Sequence, residues 1–374
     1  MSPRDSGFGM TSAGPRSRLR GVIPRVHREQ RARLRPVQLG ITVAALVATM
    51  LGALLVGAAD LPVSGVIKAL ADTVPFVHVD SGLSVVEHNV LFQLRLPRVL
   101  MAALVGGLLA IAGAGYQGVF RNPLADPYLL GAAAGAGVGA TLAIVALPGA
   151  PEYAVPVAAF TGAITGVLMA YGLGQVASRG GPEGGTGTLV LAGVAVANFL
   201  SAVQTFLQQA NAQQLQRIFA WLLGGVGTAD WGQLRMVAPY ALIAVTVLLT
   251  HGRLLDVLAV GDEEATTLGM SAARVRLLVL LAASLATACA VAVSGLIAFV
   301  GIVVPHLVRR LAGGSYRIVL PLSLLVGGAF LELADLVART VVAPAELPLG
   351  VVTAFVGGPF FVLVLRATRR QVDV

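Results

Sequence analysis

An all-α polytopic membrane protein with about ten transmembrane helices is the fold class that this sequence predicts. Of its 374 residues, 56% are hydrophobic and only 12% are charged, whereas soluble globular domains carry about 25% charged residues. The mean hydropathy is +0.84. Glycine is abundant, with 45 residues, and suits helices that pack closely in lipid. A lipid bilayer is therefore the expected environment of most of the chain.

Ten apolar segments are long enough to cross, or nearly cross, a hydrocarbon core about 30 Å thick. They cover residues 37–59, 99–119, 128–147, 154–176, 189–208, 236–250, 275–293, 296–308, 318–337 and 349–365. The stretch 275–308 is too long for one span, so we predict two short helices that break at Ser294-Gly295. Residues 37–370 are assigned to one transmembrane domain.

Residues 1–36 precede the first apolar segment and are rich in Arg, Ser, Gly and Pro. This composition predicts a disordered, basic cytoplasmic tail that is attracted to anionic lipid. The late start of the apolar segment argues against a signal peptide. Basic residues lie in this tail and at span ends, so the pI of about 10.5 does not indicate a nucleic-acid partner.

The distribution of Lys and Arg predicts that both termini are cytoplasmic. Ten spans place both ends on one side, and most of the 26 Lys and Arg residues then fall on that side, as the positive-inside rule requires. The exceptions are Lys68, Arg95, Arg98, Arg217, Arg235 and Arg339. Contact with lipid headgroups explains such residues in general. Arg95, Arg98 and Arg339 are also candidates for a surface that docks an acidic partner outside the membrane.

The most informative internal stretch is Gly261–Gly269, within a predicted cytoplasmic loop that covers residues 253–274 of a chain that is only 12% charged. Three consecutive acids, at 262–264, would open a short helix, where they interact favourably with its dipole. Gly269 is expected to end that helix. An ordinary solvated loop is one interpretation. The other is a contact surface for a soluble partner, since a polar projection between membrane spans is accessible to one.

The sequence from Arg121 to Pro127 joins the second and third segments on the cytoplasmic side. Its two prolines forbid a continuous helix, and Pro127 suits the start of the next one. A plain turn is one interpretation of this loop. In the other, Asn122 and Leu124 lie at the mouth of a pore, one as its polar rim and one as an apolar plug.

Motifs for nucleotide, metal and hydrolytic chemistry are absent from the sequence. No GxxxxGK[ST] phosphate loop occurs, and Lys68 is the only lysine. The five histidines are scattered without metal-ligand spacing, and no Ser/His/Asp set is recognisable. We therefore expect no bound cofactor, no metal site and no enzymatic activity in this chain.

Glu332 and Asp335 are carboxylates inside the ninth apolar segment. Such residues are candidates for ion or proton coupling in a secondary transporter. Asp335 is also one helical turn from Arg339, and an i,i+4 ion pair would explain it structurally. The structural interpretation is favoured, and the secondary transporter remains the alternative class.

A set of short motifs follows one order between about Val37 and Arg370. They are Arg95-Leu96-Pro97-Arg98, residues 121–127, Leu191-Ala192-Gly193-Val194, Trp221-Leu222-Leu223-Gly224-Gly225, residues 261–269, residues 299–306 and Ala345-Glu346-Leu347-Pro348-Leu349-Gly350. In this order the set resembles the FecCD-type, or type II, permeases of ABC importers for ferric siderophores, haem and cobalamin. The resemblance covers nearly the whole chain except the tail.

The resemblance implies the cobalamin/siderophore permease fold, with ten helices per subunit in a homodimer around a central path. It implies two cytoplasmic ABC ATPase subunits, an extracytoplasmic substrate-binding protein and a prokaryotic plasma membrane. ATP and Mg²⁺ would belong to the ATPase and not to this chain. A ferric siderophore is the favoured cargo, ahead of cobalamin and haem.

The resemblance also implies roles for individual positions. The residues that couple to the ATPase are Gly261, Asp262, Glu263, Glu264, Ala265, Leu268 and Gly269. The cytoplasmic gate comprises Asn122, Leu124, Thr186 and Gly187, and the docking residues are Arg95, Arg98 and Arg339. Gly187 stands where some relatives carry a hydroxyl residue. Candidates for the wall of the path are Asn198, Ser201, Gln204 and Thr205.

Overall fold

The structure, a computed structural model, describes residues 34–57, 59–178 and 186–372, and the predicted tail falls outside these residues except for its last three. Within the described ranges the regular structure is helical. The α-helices are α1 (Pro36–Leu55), α2 (Val63–Asp72), α3 (Val85–Asn89), α4 (Leu96–Phe120), α5 (Ala132–Ala146), α6 (Ala154–Ser178), α7 (Thr186–Ala210), α8 (Leu215–Leu222), α9 (Trp231–Thr250), α10 (Gly252–Val260), α11 (Asp262–Thr267), α12 (Ala272–Ser294), α13 (Val300–Ala312), α14 (Tyr316–Thr340) and α15 (Leu349–Val372).

Each predicted apolar segment lies on one of these helices, which confirms an all-α membrane fold. Among the described residues, seven helical stretches are long and apolar enough to cross a membrane. They are α1, α6, α7, α9, α12, α14 and the continuous helix Val85–Phe120. The other three predicted spans are α5, α13 and α15. Of these, α5 has 15 residues and α13 has 13, so ten is an approximate count of full crossings.

Three helices form the centre of the bundle, and less buried helices surround them. The most apolar window of Val85–Phe120 is 83% buried, whereas those of α1 and α7 are 11% and 17% buried. Helices α12 and α14 are also largely buried, and both pack along α4. The outer helices still expose large apolar side chains, as expected for surfaces that face lipid or another subunit.

Glycines allow the central helices to cross at close range. A Cβ atom at Gly106 of α4 would collide with the backbone carbonyl of Gly327 in α14, and the reverse substitution would collide in the same way. Gly135 of α5 and Gly162 of α6 form a second reciprocal pair. Side chains at these positions would separate the helices, so glycine sets the packing distance.

The break predicted at Ser294-Gly295 is confirmed. Helix α12 ends at Ser294, and Gly295 takes a left-handed φ of +66°. Helix α13 then starts later than predicted, at Val300, after Phe299 with a φ of +69°. The hydroxyl of Tyr128 stabilises the intervening segment, since it donates to the Ile297 carbonyl at 2.9 Å and accepts from the Ile297 amide at 3.0 Å.

The second predicted span begins earlier than expected. A π-helical turn at Val90–Arg95 joins α3 to α4, so the helix starts at Val85 and not near residue 99. Pro97 lacks an amide hydrogen, and its ring crowds the preceding turn. A wider turn accommodates this ring without ending the helix.

Candidate functional site

The polar stretch 261–269 forms the short helix that the sequence predicted. Helix α11 carries its three acids in the first turn, and Gly269 ends it with a φ of +76°. Ala265 is fully buried beneath the helix, whereas Leu268 is 72% exposed. Leu268 therefore presents an apolar side chain beside the acids at this surface. We call this end of the bundle the α11 end.

Asp262 is the one acid of this helix that the structure pairs with described cations. Its carboxylate accepts from Arg121 and, at 2.5 Å, from Arg276 of α12. Partial burial raises the pKa of Asp262, but the two arginines outweigh it and hold that pKa below its ordinary value. Glu263 and Glu264 remain exposed at the surface.

The loop of residues 121–131, the inner loop, lies beside α11. Arg121 ends α4 in a left-handed conformation with a φ of +49°. The side chain of Asn122 accepts from the Leu124 amide at 2.9 Å. Asn122 is exposed and Leu124 is partly buried. Both lie at the α11 end of the bundle, and the hydrogen bond within the turn fixes the Asn122 side chain.

Pro127 does not begin the next helix, and the predicted start of the third span was wrong. Asp126 instead accepts from the Tyr128 amide at 2.8 Å, and the chain turns until Gly131, whose φ is +78°. This side-chain bond offers the backbone an alternative to helix. Pro127 packs against Gly301, where a Cβ would meet its ring.

Buried polar contacts hold the inner loop against α13. Gln117 of α4 donates to the carbonyls of Ala125, at 3.4 Å, and Gly301, at 3.1 Å, and it accepts from Arg309. Asp126 lies in a poorly solvated position that raises its pKa to about 6, although the Tyr128 amide lowers it in part. The contacts of Gln117 with Gly301 and Arg309 were not predicted, since these partners lie 184 and 192 positions away in the chain.

The second predicted gate segment is only partly described. Thr186 begins α7, but its side chain lies outside the described residues. Gly187 is exposed, and a Cβ there would meet nothing within 4 Å. No hydrogen bond among the described residues joins Gly187 to Asn122 or Leu124. The gate of Asn122, Leu124, Thr186 and Gly187 therefore stays a prediction.

The three predicted docking arginines cluster at the opposite end of the bundle, which we call the arginine end. Arg95 is a correction to the expected exposed surface, because it is only 6% exposed. Its guanidinium donates to the carbonyls of Leu54, at 2.7 Å, Leu55, at 3.3 Å, and Ala59. The carbonyls of Leu54 and Leu55 are at the end of α1 and lack helical partners, so Arg95 caps that helix, and its bond to Ala59 holds the segment that follows.

Arg98 and Arg339 are also paired internally. Arg98 donates to Asp335 at 2.9 and 3.0 Å and to Glu346 at 2.8 and 2.9 Å. Arg339 lies 3.6 Å from Asp335 and donates to the Ala53 carbonyl at 2.7 Å. The predicted pair of Asp335 and Arg339 is confirmed. The closer partner, Arg98, was not predicted because 237 residues separate it from Asp335.

Glu346 is the accessible member of this cluster. Its side chain is 48% exposed, whereas that of Asp335 is 2% exposed. The hydrogen bonds from Arg98 lower the pKa of Glu346 below its ordinary value, against a smaller effect of burial. Cavities of about 420 and 480 Å³ flank the Arg98–Glu346 pair, and both residues line each cavity.

Glu332 lies one turn before Asp335 and is only 1% exposed. Neither of its carboxylate oxygens makes a hydrogen bond among the described residues. No group of three or more His, Cys, Asp or Glu residues in that part of the chain is arranged to hold a metal ion.

The predicted path residues of α7 divide between two surfaces. Asn198, Ser201 and Thr205 are exposed along one face of the helix. Gln204 instead turns toward α5, where its amide lies 3.5 Å from the Thr141 hydroxyl and beside Gly137. Asn198 and Thr205 donate to carbonyls one turn earlier in α7, at 2.8 and 2.9 Å, so the exposed face is polar and its groups are partly satisfied within the helix.

Comparison with known proteins identifies the family. The profile of the FecCD transport family matches residues 45–367. The cobalamin import system permease protein BtuC of Halobacterium salinarum is 42% identical over 273 residues, which cover 73% of this chain and 72% of that protein. The hemin transport system permease protein HmuU of Yersinia pestis is 40% identical over 285 residues, which cover 76% of this chain and 85% of that protein.

A solved structure has the same architecture. It is described as an inward-facing conformation of a metal-chelate type ABC transporter, and it matches with a TM-score of 0.75 and 32% identity over 88% of this chain and 99% of that one. The family match spans both the α11 end and the arginine end of the bundle. On this evidence the chain belongs to the FecCD transport family.

Proposed function

We propose that this chain is the membrane-spanning subunit of an ATP-driven importer whose cargo is an iron complex, with a ferric siderophore as the favoured cargo. The observation that carries the proposal is α11, a polar helix with an exposed leucine between membrane-spanning helices. The family is that of permease subunits of ABC importers. A separate ATPase, with its ATP and Mg²⁺, would supply the energy.

In the proposed assembly, two copies of this chain surround a central path and bind two ATPase subunits at the α11 end. The positive-inside rule predicts that this end and both termini face the cytoplasm. The exposed polar face of α7, with Asn198, Ser201 and Thr205, would line the path. Such a wall suits a large hydrophilic chelate, because it offers hydrogen bonds without a tight pocket.

A substrate-binding protein would dock at the arginine end. Arg98 is the proposed direct contact, and its internal pairing adds a condition. Arg339, whose side chain is only 6% exposed, would support Arg98 through their shared partner Asp335. A carboxylate of the partner must replace Glu346, the exposed partner of Arg98, because Asp335 is buried. Arg95 would act indirectly by holding α1 in place.

ATP binding would bring the two ATPase subunits together and move α11 in each permease copy. That movement would change the inner loop, with Asn122 and Leu124 at the mouth of the path. Thr186 and Gly187 are proposed as the second gate segment. Cargo would pass while the inner gate is open, and hydrolysis would return the assembly to its starting state.

Reconstitution in proteoliposomes tests the function. The purified chain, its cognate ATPase and its binding protein would be given labelled ferric siderophore, cobalamin and haem in parallel. Accumulation of the siderophore that requires ATP and is blocked by vanadate is expected. ATP-dependent accumulation of cobalamin or haem instead would keep the transporter class and replace the cargo.

The alternative class is an ion-coupled secondary transporter that uses Glu332 and Asp335. The observation in its favour is the buried Glu332 carboxyl without a hydrogen bond. Against it, Asp335 is held between two arginines. Uptake that collapses with a protonophore while ATP is held constant would support this alternative and overturn the proposal.

A further inference from the structure

We propose that Asp262, Arg121 and Arg276, which we call the Asp262 cluster, transmit the movement of α11 to the inner loop. The inference rests on the proposed function and assigns a coupling role to three residues within it. Two of them, Arg121 and Arg276, lie outside the positions expected to couple to the ATPase. The cluster lies where the helix and the loop meet.

One oxygen of Asp262, Oδ1, accepts from both guanidinium groups. Arg121 also donates from Nε to the Leu258 carbonyl of α10, at 2.7 Å. Arg121 therefore binds the helix before α11 and the first residue of α11 together. Because Gly261 separates those two helices, this single side chain spans the joint between them.

Arg121 is also the first residue of the inner loop. It directly precedes Asn122, whose amide donates to the Gln117 carbonyl at 3.2 Å and whose side chain accepts from the Leu124 amide. These bonds hold residues 121–124 in a compact, conformationally restricted turn. A displacement of Asp262 that pulls on the guanidinium would therefore reach Asn122 within one residue of backbone.

The strength of the cluster suits a coupling role better than a stabilising one. The side chains of Arg121 and Asp262 are 38% and 49% exposed, and exposed ion pairs contribute only about 0–1 kcal/mol to stability. Loss of the cluster should therefore leave the fold intact. Loss of the cluster should instead reduce the displacement of the inner loop that a given movement of α11 produces.

The test uses Arg121→Gln and Asp262→Asn, singly and together, in proteoliposomes with the cognate ATPase and binding protein. Arg274→Gln is the matched control, since Arg274 is an exposed cation in the first turn of α12, near Arg276, and makes no ion pair among the described residues. Each variant should remain monodisperse and hydrolyse ATP. The amount of cargo imported per ATP should fall about tenfold in both single variants, within the usual range of coupling free energies.

The double variant should be no worse than the poorer single variant, because both changes break the same connection. A second readout is maleimide labelling of Asn122→Cys, with and without ATP and vanadate. The nucleotide dependence of this labelling should persist with Arg274→Gln and disappear with Asp262→Asn. Cys289 is buried, which limits background labelling.

Cargo per ATP that is unchanged in the single variants, or labelling that stays nucleotide-dependent in Asp262→Asn, would overturn the inference. Losses that add in the double variant would do the same, since they indicate separate roles. Failure of the proposed function looks different. In that case the unmodified chain itself would show no ATP-dependent uptake, whatever the state of the cluster.

Discussion

Arg98 binds two carboxylates of unequal accessibility, and this determines how a docking partner can reach it. Asp335 is buried on one side of the guanidinium, and Glu346 is half exposed on the other. In the proposed docking, a partner carboxylate would compete with Glu346 for the Nη atoms. The internal pair would therefore weaken docking but keep the desolvated arginine paired in the absence of the partner.

Glu346→Gln is expected to strengthen binding of the substrate-binding protein about three- to tenfold. The change removes the ion pair between Glu346 and Arg98, which competes with the partner and contributes about 1 kcal/mol. Titration of the partner onto nanodisc-embedded chain at low salt would measure this. Glu152→Gln, at another exposed acid of the predicted outer side, is the control and should change little. Unchanged or weaker affinity for Glu346→Gln would contradict direct competition at Arg98.

Asp126 predicts a pH dependence of stability. Burial raises its pKa in the folded protein to about 6, from 3.8, so the folded state holds the proton more tightly than the unfolded state. Its contribution to stability is therefore fully present below the unfolded pKa and is lost as the pH rises through about 6. As the pH rises from 4 to 7, the ionisation of Asp126 therefore lowers the thermal stability of the protein.

Asp126→Asn should remove that pH dependence and retain an acceptor for the Tyr128 amide. Melting curves of the two detergent-solubilised proteins would be recorded between about pH 4 and pH 7. The difference in melting temperature between variant and native chain isolates Asp126, because the other titrating groups are the same in both. The variant should gain relative to the native chain as the pH rises. A constant difference across the range would be incompatible with a raised pKa.

At the scale of the element, glycine sets the distance between α4 and α14. Gly106→Ala places a methyl group against the Gly327 carbonyl, and overpacking of this kind costs about 1–3 kcal/mol. Gly40→Ala is the matched control, since a Cβ there meets nothing within 4 Å. In thermal melts, Gly106→Ala should lower the melting temperature and Gly40→Ala should not. Equal effects would mean that the crossing is not tight.

Helix α11 offers one exposed apolar group to a soluble partner. Leu268→Gln should weaken ATPase binding about tenfold, because burial of a leucine side chain contributes about 1.5–3 kcal/mol. Leu311→Gln, at the end of α13, is the control, with an exposure of 77% against 72% for Leu268. Binding measured on nanodiscs distinguishes them. If both variants bind the ATPase like the native chain, α11 is not the contact.

At the scale of the whole molecule, local sequence patterns predicted the helices, whereas contacts between residues far apart in the sequence were not predicted. Runs of apolar residues and Ser294-Gly295 are local signals, and the helices and the break follow them. The ion pairs of Arg98 and Arg121 join residues 237 and 141 positions away. Such partners come together only when the helices pack. Arg95 was therefore predicted to be exposed, although the end of α1 covers it in the folded protein.

The positive-inside rule makes an orientation prediction that labelling can test. In intact cells, a membrane-impermeant maleimide should modify Glu152→Cys, between α5 and α6, and should leave Glu263→Cys of α11 unmodified until the membrane is permeabilised. Both positions are exposed, and the native Cys289 is buried, so accessibility across the membrane decides the outcome. The reverse pattern would place α11 outside the cell. It would then be beyond the reach of a cytoplasmic ATPase, and coupling through Asp262 would have no source of energy.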